Sequence, residues 1–256
     1  MSVFANYARY YDLLYRDKDY IREVQFIHQL IQTYAPEALT ILELGCGTAK
    51  HAALLAKESY EIDGVDFSQE MLLKAENRIS QLPTDVSSKL KLFHGDIREV
   101  RLNRTFDVVL SLFHVISYQT KNEDLLATFA TVKEHLKPGG IFIFDIWYGP
   151  AVLSEPPEVR VKRLEDAEIY VTRIAEPEIY PNENLVDVNY QIFIQDKSSD
   201  AVEEIRETHQ MRYLFKPELE LLLNNTGLKI IDQMEWMTRK PLDLNTWGSV
   251  FIVDCI

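Results

Sequence analysis

The stretch ILELGCGTAKHA, residues 41–52, joins an apolar segment to a helix-like one through two closely spaced glycines. Gly45 and Gly47 permit backbone conformations that let a ligand approach the main chain closely. A dinucleotide-binding fingerprint, GxGxxG, requires a third glycine at position 50, where this chain has Lys50. The related pattern GxGxG requires that glycine at position 49, which is Ala49. The loop therefore predicts a nucleotide-like ligand but leaves its identity open.

Strand-like and helix-like segments alternate along most of the chain. Helices are predicted over residues 20–34, 51–57, after Ser68 as N-cap, after Asn122 as N-cap, and from Pro217 to Gly227. Strands are predicted at 40–45, 60–67, 90–96, 106–113, 141–147, 228–234 and 248–256. The segment KPGG, residues 137–140, should end the helix before the fifth strand. The alternation predicts an α/β fold, a Rossmann-like doubly wound sheet of seven strands.

The pattern changes after Pro150. Residues 185–194 alternate apolar and mostly polar side chains, and turn-like segments occupy 181–184 and 196–200. We expect about four antiparallel strands between 158 and 215, inserted into the α/β domain. The predicted organisation is residues 1–150 for the N-terminal helices and the α/β core, 151–215 for the inserted sheet, and 216–256 for completion of the core.

Composition restricts the class of function. The 256 residues include 27 basic and 40 acidic side chains, a formal net charge of −13, so nucleic acid and anionic membranes should be repelled. No signal peptide and no apolar run of about 18 residues is evident, which predicts a soluble, cytoplasmic protein. Cys46 and Cys255 form no CxxC pair, and we find no metal-ligand spacing.

Acidic residues mark the ends of successive strands. Glu43 lies two residues before the first glycine, and Asp66 ends the second strand. An acid about 20 residues past such glycines is placed to accept hydrogen bonds from ribose hydroxyls. Asp96, at the third strand, could accept from an adenine amino group while Ile97 packs on the ring. These acids favour an adenosine ligand that is not itself heavily anionic.

The segments ELGCGT, GVDFS, GDI, FDVV and LKPGGIFIFD, in this order over residues 40–146, resemble class I methyltransferases that use S-adenosylmethionine. The resemblance implies that the first loop holds the methionine portion, Asp66 the ribose and Asp96 the adenine. Ala49 replaces a glycine of the family, a mild change if the helix has already begun, whereas Lys50 argues against NAD. The predicted cofactor-binding residues are Tyr11, Tyr20, Glu43, Gly45, Cys46, Gly47, Asp66, Phe67, Met71, Asp96, Ile97 and Leu112.

The exit of the fourth strand, SLFHVISYQ at 111–119, offers candidate catalytic groups. His114 could take a proton near neutral pH, and Tyr118 could orient an acceptor. The tyrosine-dense stretch with tyrosines at 7, 10, 11, 15 and 20, together with the inserted sheet, resembles nucleotide-sugar amino N-methyltransferases. That resemblance implies that Tyr11 and Tyr20 contact the cofactor, and that the inserted sheet helps form the substrate side and a dimer.

One departure from that narrower family concerns the base. Macrolide-sugar enzymes have a histidine where this chain has Tyr118, so the function of that histidine is lost here, taken by Tyr118 or moved to His114. The predicted catalytic residues are Tyr118 and His114, and the predicted substrate-binding residues are Tyr10, Phe113, Trp147 and Tyr148.

The function predicted from the sequence is transfer of a methyl group to a small polar metabolite, most simply the amine of a nucleotide-linked amino sugar. An O-methyltransferase, an NAD-dependent oxidoreductase and a SAM-binding module without catalysis are the alternatives. We expect a small-molecule substrate, no nucleic-acid or membrane partner, and a homodimer as an open alternative to a monomer.

Overall fold

The computed structural model describes residues 10–255, so Tyr7 of the tyrosine-dense stretch lies outside the described residues. Residues 10–14 are helical and precede helix α1 (Tyr20–Tyr34). Asp19 caps α1 by accepting a hydrogen bond from the backbone N–H of Arg22.

A seven-stranded sheet forms the centre of the molecule. Its strands are β1 (Thr40–Leu44), β2 (Glu61–Asp66), β3 (Leu90–His94), β4 (Phe106–Ser111), β5 (Leu136–Trp147), β10 (Leu228–Glu235) and β11 (Gly248–Cys255). Their spatial order is β10-β11-β5-β4-β1-β2-β3. Strand β11 runs antiparallel to both neighbours, and the pairs among β1 to β5 are parallel. The predicted seven-stranded α/β sheet is confirmed.

Helices cover both faces of this sheet. They are α1 together with α2 (Lys50–Lys57), α3 (Gln69–Ser80), α4 (Thr84–Ser87), α5 (Asn122–His135), α6 (Gly149–Ser154) and α7 (Lys216–Asn225). Neighbouring residues of one strand point to opposite faces. Ile41 therefore packs with Leu30 of α1, whereas Leu42 belongs to the core that includes Phe129 of α5 and Leu223 of α7. Two apolar cores of this kind are what a doubly wound sheet requires.

A second sheet of four antiparallel strands is separate from the first. It consists of β6 (Arg160–Glu165), β7 (Ile169–Tyr180), β8 (Leu185–Asp196) and β9 (Val202–Arg212), in that spatial order. The strand number agrees with the sequence prediction. One face of this inserted sheet packs through Val171, Ile192 and Ile205 on Tyr10 and Leu14 of the N-terminal helical residues. We name it the inner face of the inserted sheet.

Several local boundaries differ from the predictions: the third strand ends at His94, the fourth at Ser111, and the last helix has Thr226 rather than Gly227 at its C-cap. Helix α5 begins at Asn122 itself, with Lys121 at the N-cap position and no side-chain cap. The predicted helix-ending segment 137–140 belongs to β5, because the helix ends at His135 and the strand starts at Leu136. Ser68 caps α3 as predicted and accepts from the N–H of Met71 at 3.2 Å. No helix within residues 10–255 is long and apolar enough to cross a membrane.

Candidate active site

A cavity of about 570 Å³ lies at the carboxyl ends of the parallel strands, and the inner face of the inserted sheet forms part of its wall. Its volume is within the range of small-molecule sites. Most of the predicted site residues line it: Tyr11, Gly45, Cys46, Gly47, Asp66, Phe67, Met71, Asp96, Ile97, Leu112, Phe113, His114, Tyr118 and Trp147. Tyr10, Tyr20, Glu43 and Tyr148 are not part of the lining.

The glycine loop between β1 and α2 adopts backbone conformations that only glycine enters easily. Gly45 has φ +80°, and a Cβ atom there would lie 2.6 Å from Cγ2 of Val115. Gly47 has φ +54°, but a Cβ atom there would have no neighbour within 4 Å. Gly45 is therefore required by packing within the protein. Gly47 also lines the cavity, so a ligand can approach the main chain at this residue.

Ala49 differs from the expectation for this loop. Helix α2 begins at Lys50, and Ala49 precedes it in a left-handed conformation with φ 55° and ψ 32°. The expectation that the helix has already begun at position 49 is wrong. An alanine in this conformation costs about 1 kcal/mol relative to glycine, which explains why a glycine suits this position in related loops.

Asp66 links the end of β2 to the glycine loop. Its carboxylate accepts hydrogen bonds from the N–H of Gly47 at 2.7 Å and from the N–H of Ser68 at 2.9 Å. Burial raises the pKa of Asp66 above its usual range. Each carboxylate oxygen has a second acceptor position, so the residue can hold the loop and still accept from a ligand hydroxyl.

Glu43 lies beneath the loop rather than on the cavity wall. Its side chain is 2% exposed, and Oε2 has no hydrogen-bond partner among residues 10–255. Burial, with the nearby Asp66 carboxylate, raises the pKa of Glu43 to about 8. Nδ1 of the His51 ring lies 4.0 Å from Oε1 of Glu43. Glu43 is therefore buried outside the cavity lining, and this position does not support the predicted direct contact with the cofactor.

Asp96 has a partner that the sequence did not reveal. Nε of Arg98 donates to Asp96 Oδ1 at 2.9 Å, and Nη1 of Arg98 donates to Asp124 at 2.8 Å. Hydrogen bonds from Arg98 hold the pKa of Asp96 below its usual range. Both Asp96 and Arg98 line the cavity. An adenine amino group would share Asp96 with the guanidinium.

The N-terminal tyrosines have different environments. Tyr11 and Tyr15 line the cavity, while the ring of Tyr20 packs against His51 with centroids 5.0 Å apart. Tyr10 is fully buried and its hydroxyl donates to Glu207 Oε2 at 3.2 Å. The expectation that Tyr10 contacts a substrate directly finds no support in this placement, because its hydroxyl is directed to the inserted sheet.

His114 follows β4 in an unusual backbone conformation. Phe113 and His114 both have positive φ angles, 69° and 61°, which non-glycine residues adopt at some cost and which cluster at functional sites. The N–H of His114 donates to Asp145 Oδ2 at 3.1 Å, and Nδ1 lies 2.8 Å from the same oxygen. Nδ1 makes no hydrogen bond in this arrangement, so the buried Asp145 holds His114 through the backbone N–H and places a carboxylate beside its ring.

Tyr118 lies on a single 3₁₀ turn, Val115–Tyr118, and is joined to the inserted sheet. Its hydroxyl is 2.7 Å from Nδ1 of His209 on β9. Burial raises the pKa of Tyr118 well above the usual value, so the phenol stays protonated at neutral pH. Tyr118 can transmit or orient a proton but does not hold a negative charge.

Trp147 and Tyr148, at the end of β5, have different surroundings. Trp147 lines the cavity and also a second, smaller one of about 210 Å³, whose lining includes Trp236 and Trp247. Tyr148 instead precedes helix α6, and its N–H donates to the carbonyl of Trp247 at 3.1 Å. The expected substrate contact of Tyr148 is not supported by this position outside the cavity.

The inserted sheet was expected on the substrate side, but sequence reasoning did not name the residues that it contributes to the cavity. The unpredicted lining residues are Tyr15, His51, Arg98, Val115, Gln119, Val188, Tyr190, His209 and Met211. His209 and Met211 alternate with polar residues on β9, and β8 pairs Val188 with His209. This period of two was a usable signal, but the sequence alone does not say which face of the sheet meets the cavity.

The cavity suits S-adenosylmethionine. Gly47 leaves open space for a ligand beside the main chain, and the carboxylates of Asp66 and Asp96 match hydroxyl and amino donors of an adenosine. Aromatic rings of Tyr11, Tyr15 and Phe113 line the same space and can face a sulfonium cation. Among residues 10–255 no group of three or more histidine, cysteine, aspartate or glutamate side chains is arranged to hold a metal ion.

Comparison with known proteins agrees with this site. The family model described as a methyltransferase domain matches residues 41–140. The chain is 34% identical over 153 residues to dTDP-3-amino-3,4,6-trideoxy-alpha-D-glucopyranose N,N-dimethyltransferase of Streptomyces venezuelae, covering 59% of this chain and 61% of that relative. It is 25% identical to dTDP-3-amino-3,6-dideoxy-alpha-D-glucopyranose N,N-dimethyltransferase of Streptomyces fradiae, covering 87% of this chain and 84% of that one.

A solved structure extends the similarity to nearly the whole chain. An S-adenosylmethionine-dependent methyltransferase from Clostridium acetobutylicum is 27% identical and covers 98% of both chains, with a TM-score of 0.79. The glycine loop, the strand order and these matches agree with one another. The chain therefore has the fold of the class I methyltransferases and is similar to them in sequence, and these matches support S-adenosylmethionine as its cofactor.

Proposed function

We propose that the chain methylates the amine of a nucleotide-linked amino sugar. The observation that carries this proposal is the inner face of the inserted sheet, which brings Tyr190 and His209 to the wall of the cofactor cavity. A wall that combines aromatic rings with hydrogen-bonding groups suits a small polar acceptor. The names of the two Streptomyces relatives, which specify amino-sugar N,N-dimethylation, support the same acceptor class.

In this proposal the cofactor binds at the carboxyl ends of the parallel strands. The bound cofactor supplies a methyl group on a sulfonium centre. The loop residues Gly45, Cys46 and Gly47 would bind the methionine portion through the main chain, and Asp66 would accept from the ribose. Asp96 would bind the adenine amino group. Phe67, Met71, Ile97, Leu112 and Tyr11 would complete the wall, with Glu43 and Tyr20 supporting the loop from behind.

In this proposal the acceptor binds between the segment that follows β4 and the inserted sheet. Methyl transfer is an in-line displacement, so the protein mainly has to align the acceptor nitrogen, exclude water and accept a proton. Phe113 and Trp147 would form the apolar wall for the sugar. His114, held by Asp145, and Tyr118 are the groups of this region that can exchange a proton with the amine or orient it.

The test is product analysis with a panel of acceptors. Purified protein is incubated with S-adenosylmethionine and nucleotide-linked 3-amino and 4-amino sugars, and product masses are read by liquid chromatography with mass spectrometry. We expect one member to gain one or two methyl groups. Cofactor binding without any methylated sugar would contradict the proposed acceptor. A product methylated on oxygen, located by fragmentation, would favour the O-methyltransferase alternative.

The assembly state belongs to the same proposal. Exposed apolar side chains lie on the outer face of the inserted sheet, with Val161 50%, Tyr170 48% and Val202 59% exposed. Strand pairing puts all three on one side, because Tyr170 is opposite Glu165 on β6 and opposite Gln195 on β8, which pairs with Val202. We propose a homodimer through this face, and light scattering at two concentrations tests it. Cytoplasmic location and the absence of a nucleic-acid partner stay predictions from the sequence.

A further inference from the structure

The smaller cavity, of about 210 Å³, is lined by every tryptophan of the chain. The sequence contains three tryptophans, and Trp147, Trp236 and Trp247 all line this cavity. Its wall is partly shared with the larger cavity, because Phe113, His114 and Trp147 line both. We call the smaller space the tryptophan cavity.

The order of the strands explains why the tryptophans meet. Trp147 is the last residue of β5, Trp236 follows β10, and Trp247 precedes β11, and these three strands are neighbours in the sheet. Gly248 on β11 pairs with Trp147, and its carbonyl accepts from the N–H of Trp236 at 2.9 Å. Gly248 also lines the cavity. A Cβ atom there would lie 3.4 Å from Cβ of Trp236, so the missing side chain leaves room between the rings.

Asp145 brings a buried carboxylate to the same space. Asp145 and Trp147 are two residues apart on β5, so their side chains lie on one face of the sheet, and both line the tryptophan cavity. The Asp145 side chain is 3% exposed. Its Oδ2 accepts from the N–H of His114 at 3.1 Å, but Oδ1 has no hydrogen-bond partner within residues 10–255. A buried polar atom without a partner is costly, and a ligand in this cavity could supply the donor.

The other carboxylate of the cavity is already balanced. Glu23 lines the cavity together with Lys18, and Nζ of Lys18 donates to Oε2 of Glu23. Nε2 of His51 lies 2.9 Å from the same oxygen. In the described part of the chain, Asp145 forms an ion pair only with the ring of His114, which lies near Oδ2. The cavity therefore has one negative charge that no lysine or arginine neutralises.

This combination selects one chemical class of ligand. Tryptophan rings attract cations more strongly than other aromatic side chains do, and the Oδ1 atom of Asp145 requires an N–H or O–H donor. An anion would be repelled by the carboxylate. A magnesium or calcium ion prefers about six or more oxygen ligands, which one carboxylate among apolar rings does not provide. An alkylammonium group satisfies both requirements, since it carries a positive charge, N–H donors and apolar substituents.

We propose that the tryptophan cavity binds an alkylammonium group and that this group is the protonated amine of the acceptor. Asp145 accepts its N–H, and the tryptophan rings contact its alkyl substituents. The assignment to the acceptor rests on the proposed function, whereas binding of an alkylammonium does not. The shared wall of Phe113, His114 and Trp147 is the reason for choosing the acceptor, because an amine in the tryptophan cavity adjoins the cavity where we propose that the cofactor binds.

Intrinsic fluorescence tests the ammonium site directly, because all three tryptophans line it. The full chain is titrated with trimethylammonium chloride at about pH 8, where an ordinary histidine is neutral, against sodium chloride at equal ionic strength. We expect a saturable change in tryptophan fluorescence. Uncharged tert-butanol is similar in size and also has one donor, so it should bind about tenfold more weakly or worse. No saturable change, or equal affinity for the two compounds, would overturn the proposal.

Two variants test the residues that form the site. Asp145→Asn keeps an acceptor for the N–H of His114 but removes the charge, and it should weaken trimethylammonium binding about tenfold. Gly248→Ala adds a methyl group to the cavity wall without a change in charge and should also weaken binding. It keeps the proposal testable if Asp145→Asn does not fold. Wild-type affinity in both variants would overturn the site.

Asp254→Asn is the matched control. Asp254 also has a carboxylate oxygen without a hydrogen-bond partner in the described residues, but it lies at the other end of β11, where it pairs with Ile141. Its substitution should leave trimethylammonium affinity unchanged. An equal loss in Asp254→Asn and Asp145→Asn would mean that net charge, and not the tryptophan cavity, determines binding, and it would overturn the site.

Steady-state kinetics then identify the source of the amine. With a methylated member of the sugar panel, trimethylammonium should compete with the acceptor, and Asp145→Asn should raise the acceptor KM more than it lowers kcat. Non-competitive inhibition with an unchanged KM would assign the cavity to a small free amine and overturn the acceptor assignment. Binding of trimethylammonium by a protein that methylates no panel member would contradict the proposed function and leave the ammonium site. Methylation of a sugar without trimethylammonium binding would do the reverse.

Discussion

The two sides of the cavity are built by different means. The side where we propose that the cofactor binds consists of a loop and strand ends from one β-α-β unit, where main-chain groups of Gly45 and Gly47 and the Asp66 carboxylate lie within about 20 residues of one another. The proposed acceptor side consists of side chains from the turn after β4 and from β8 and β9, up to 91 residues apart in the Tyr118–His209 contact. The first side depends on local backbone geometry, and the second depends on contacts between side chains that are distant in sequence.

This difference predicts distinct responses to mutation. Substitutions on the cofactor side should change the loop conformation and cofactor affinity together. Substitutions on the inserted sheet should leave cofactor affinity intact and change turnover or the acceptor KM. The following four measurements test that separation, beginning with the largest expected effect.

The largest effect is expected for Gly45→Ala compared with Gly47→Ala. At Gly45 a methyl group would lie 2.6 Å from Val115 with φ +80°, while at Gly47 it would meet nothing within 4 Å. Overpacking and a left-handed alanine together should cost about 3 kcal/mol at Gly45, against about 1 kcal/mol at Gly47. Urea unfolding measures both. Adding Val115→Ala should restore part of the Gly45→Ala loss, and equal losses at the two glycines would contradict the packing argument.

The second effect concerns Asp66→Ala, with Asp107→Ala as a matched control. Each aspartate accepts two main-chain N–H bonds, Asp66 beside the cavity and Asp107 from Leu39 and Thr40 at the opposite edge of the sheet. Asp66→Ala should weaken S-adenosylmethionine binding at least tenfold, about 1.4 kcal/mol, through lost ribose contacts. Asp107→Ala should lower stability only. Unchanged affinity in Asp66→Ala would remove the ribose role.

The third effect is a pH dependence of stability caused by Glu43. Burial raises its pKa in the folded protein to about 8, above the ordinary 4.5. The folded state therefore binds more protons than the unfolded state between these values, and this contribution to stability falls as pH rises through that window, by up to about 1.4 kcal/mol per pH unit. Glu43→Gln should remove the fall. Parallel stability curves for wild type and variant from pH 5 to 8 would show that Glu43 is ionised in the folded protein.

The smallest effect is expected at the edge of the inserted sheet. Lys197 Nζ lies 2.7 Å from Glu165 Oε2 on the exposed surface, where ion pairs contribute little. Lys197→Ala should leave the melting temperature, cofactor affinity and turnover unchanged within error. A clear loss of turnover would mean that this edge has a role in the acceptor site or in the assembly.

The differences between the expected and the observed placement of site residues have a common cause. Tyr10 and Tyr148 looked like substrate contacts in the sequence, but Tyr10 donates to Glu207 and Tyr148 bonds to Trp247. The planar guanidinium of Arg98 donates to Asp96, and the pattern of acidic residues at strand ends does not predict this contact. In each case the partner is either distant in sequence or determined by the rotamer of a long side chain, and periodicity reports neither.

The sequence by itself determined the seven-stranded α/β core, the four antiparallel strands and most of the residues that line the cavity where we propose that the cofactor binds. These features depend on local sequence patterns. Apolar residues recur at every second position in strands and about every 3.6 positions in helices, and glycine adopts a positive φ angle without a steric cost. Only the tertiary structure decided which face of the inserted sheet meets the cavity and that His209 joins Tyr118. Those contacts depend on the packing of distant segments, and no local pattern encodes that packing residue by residue.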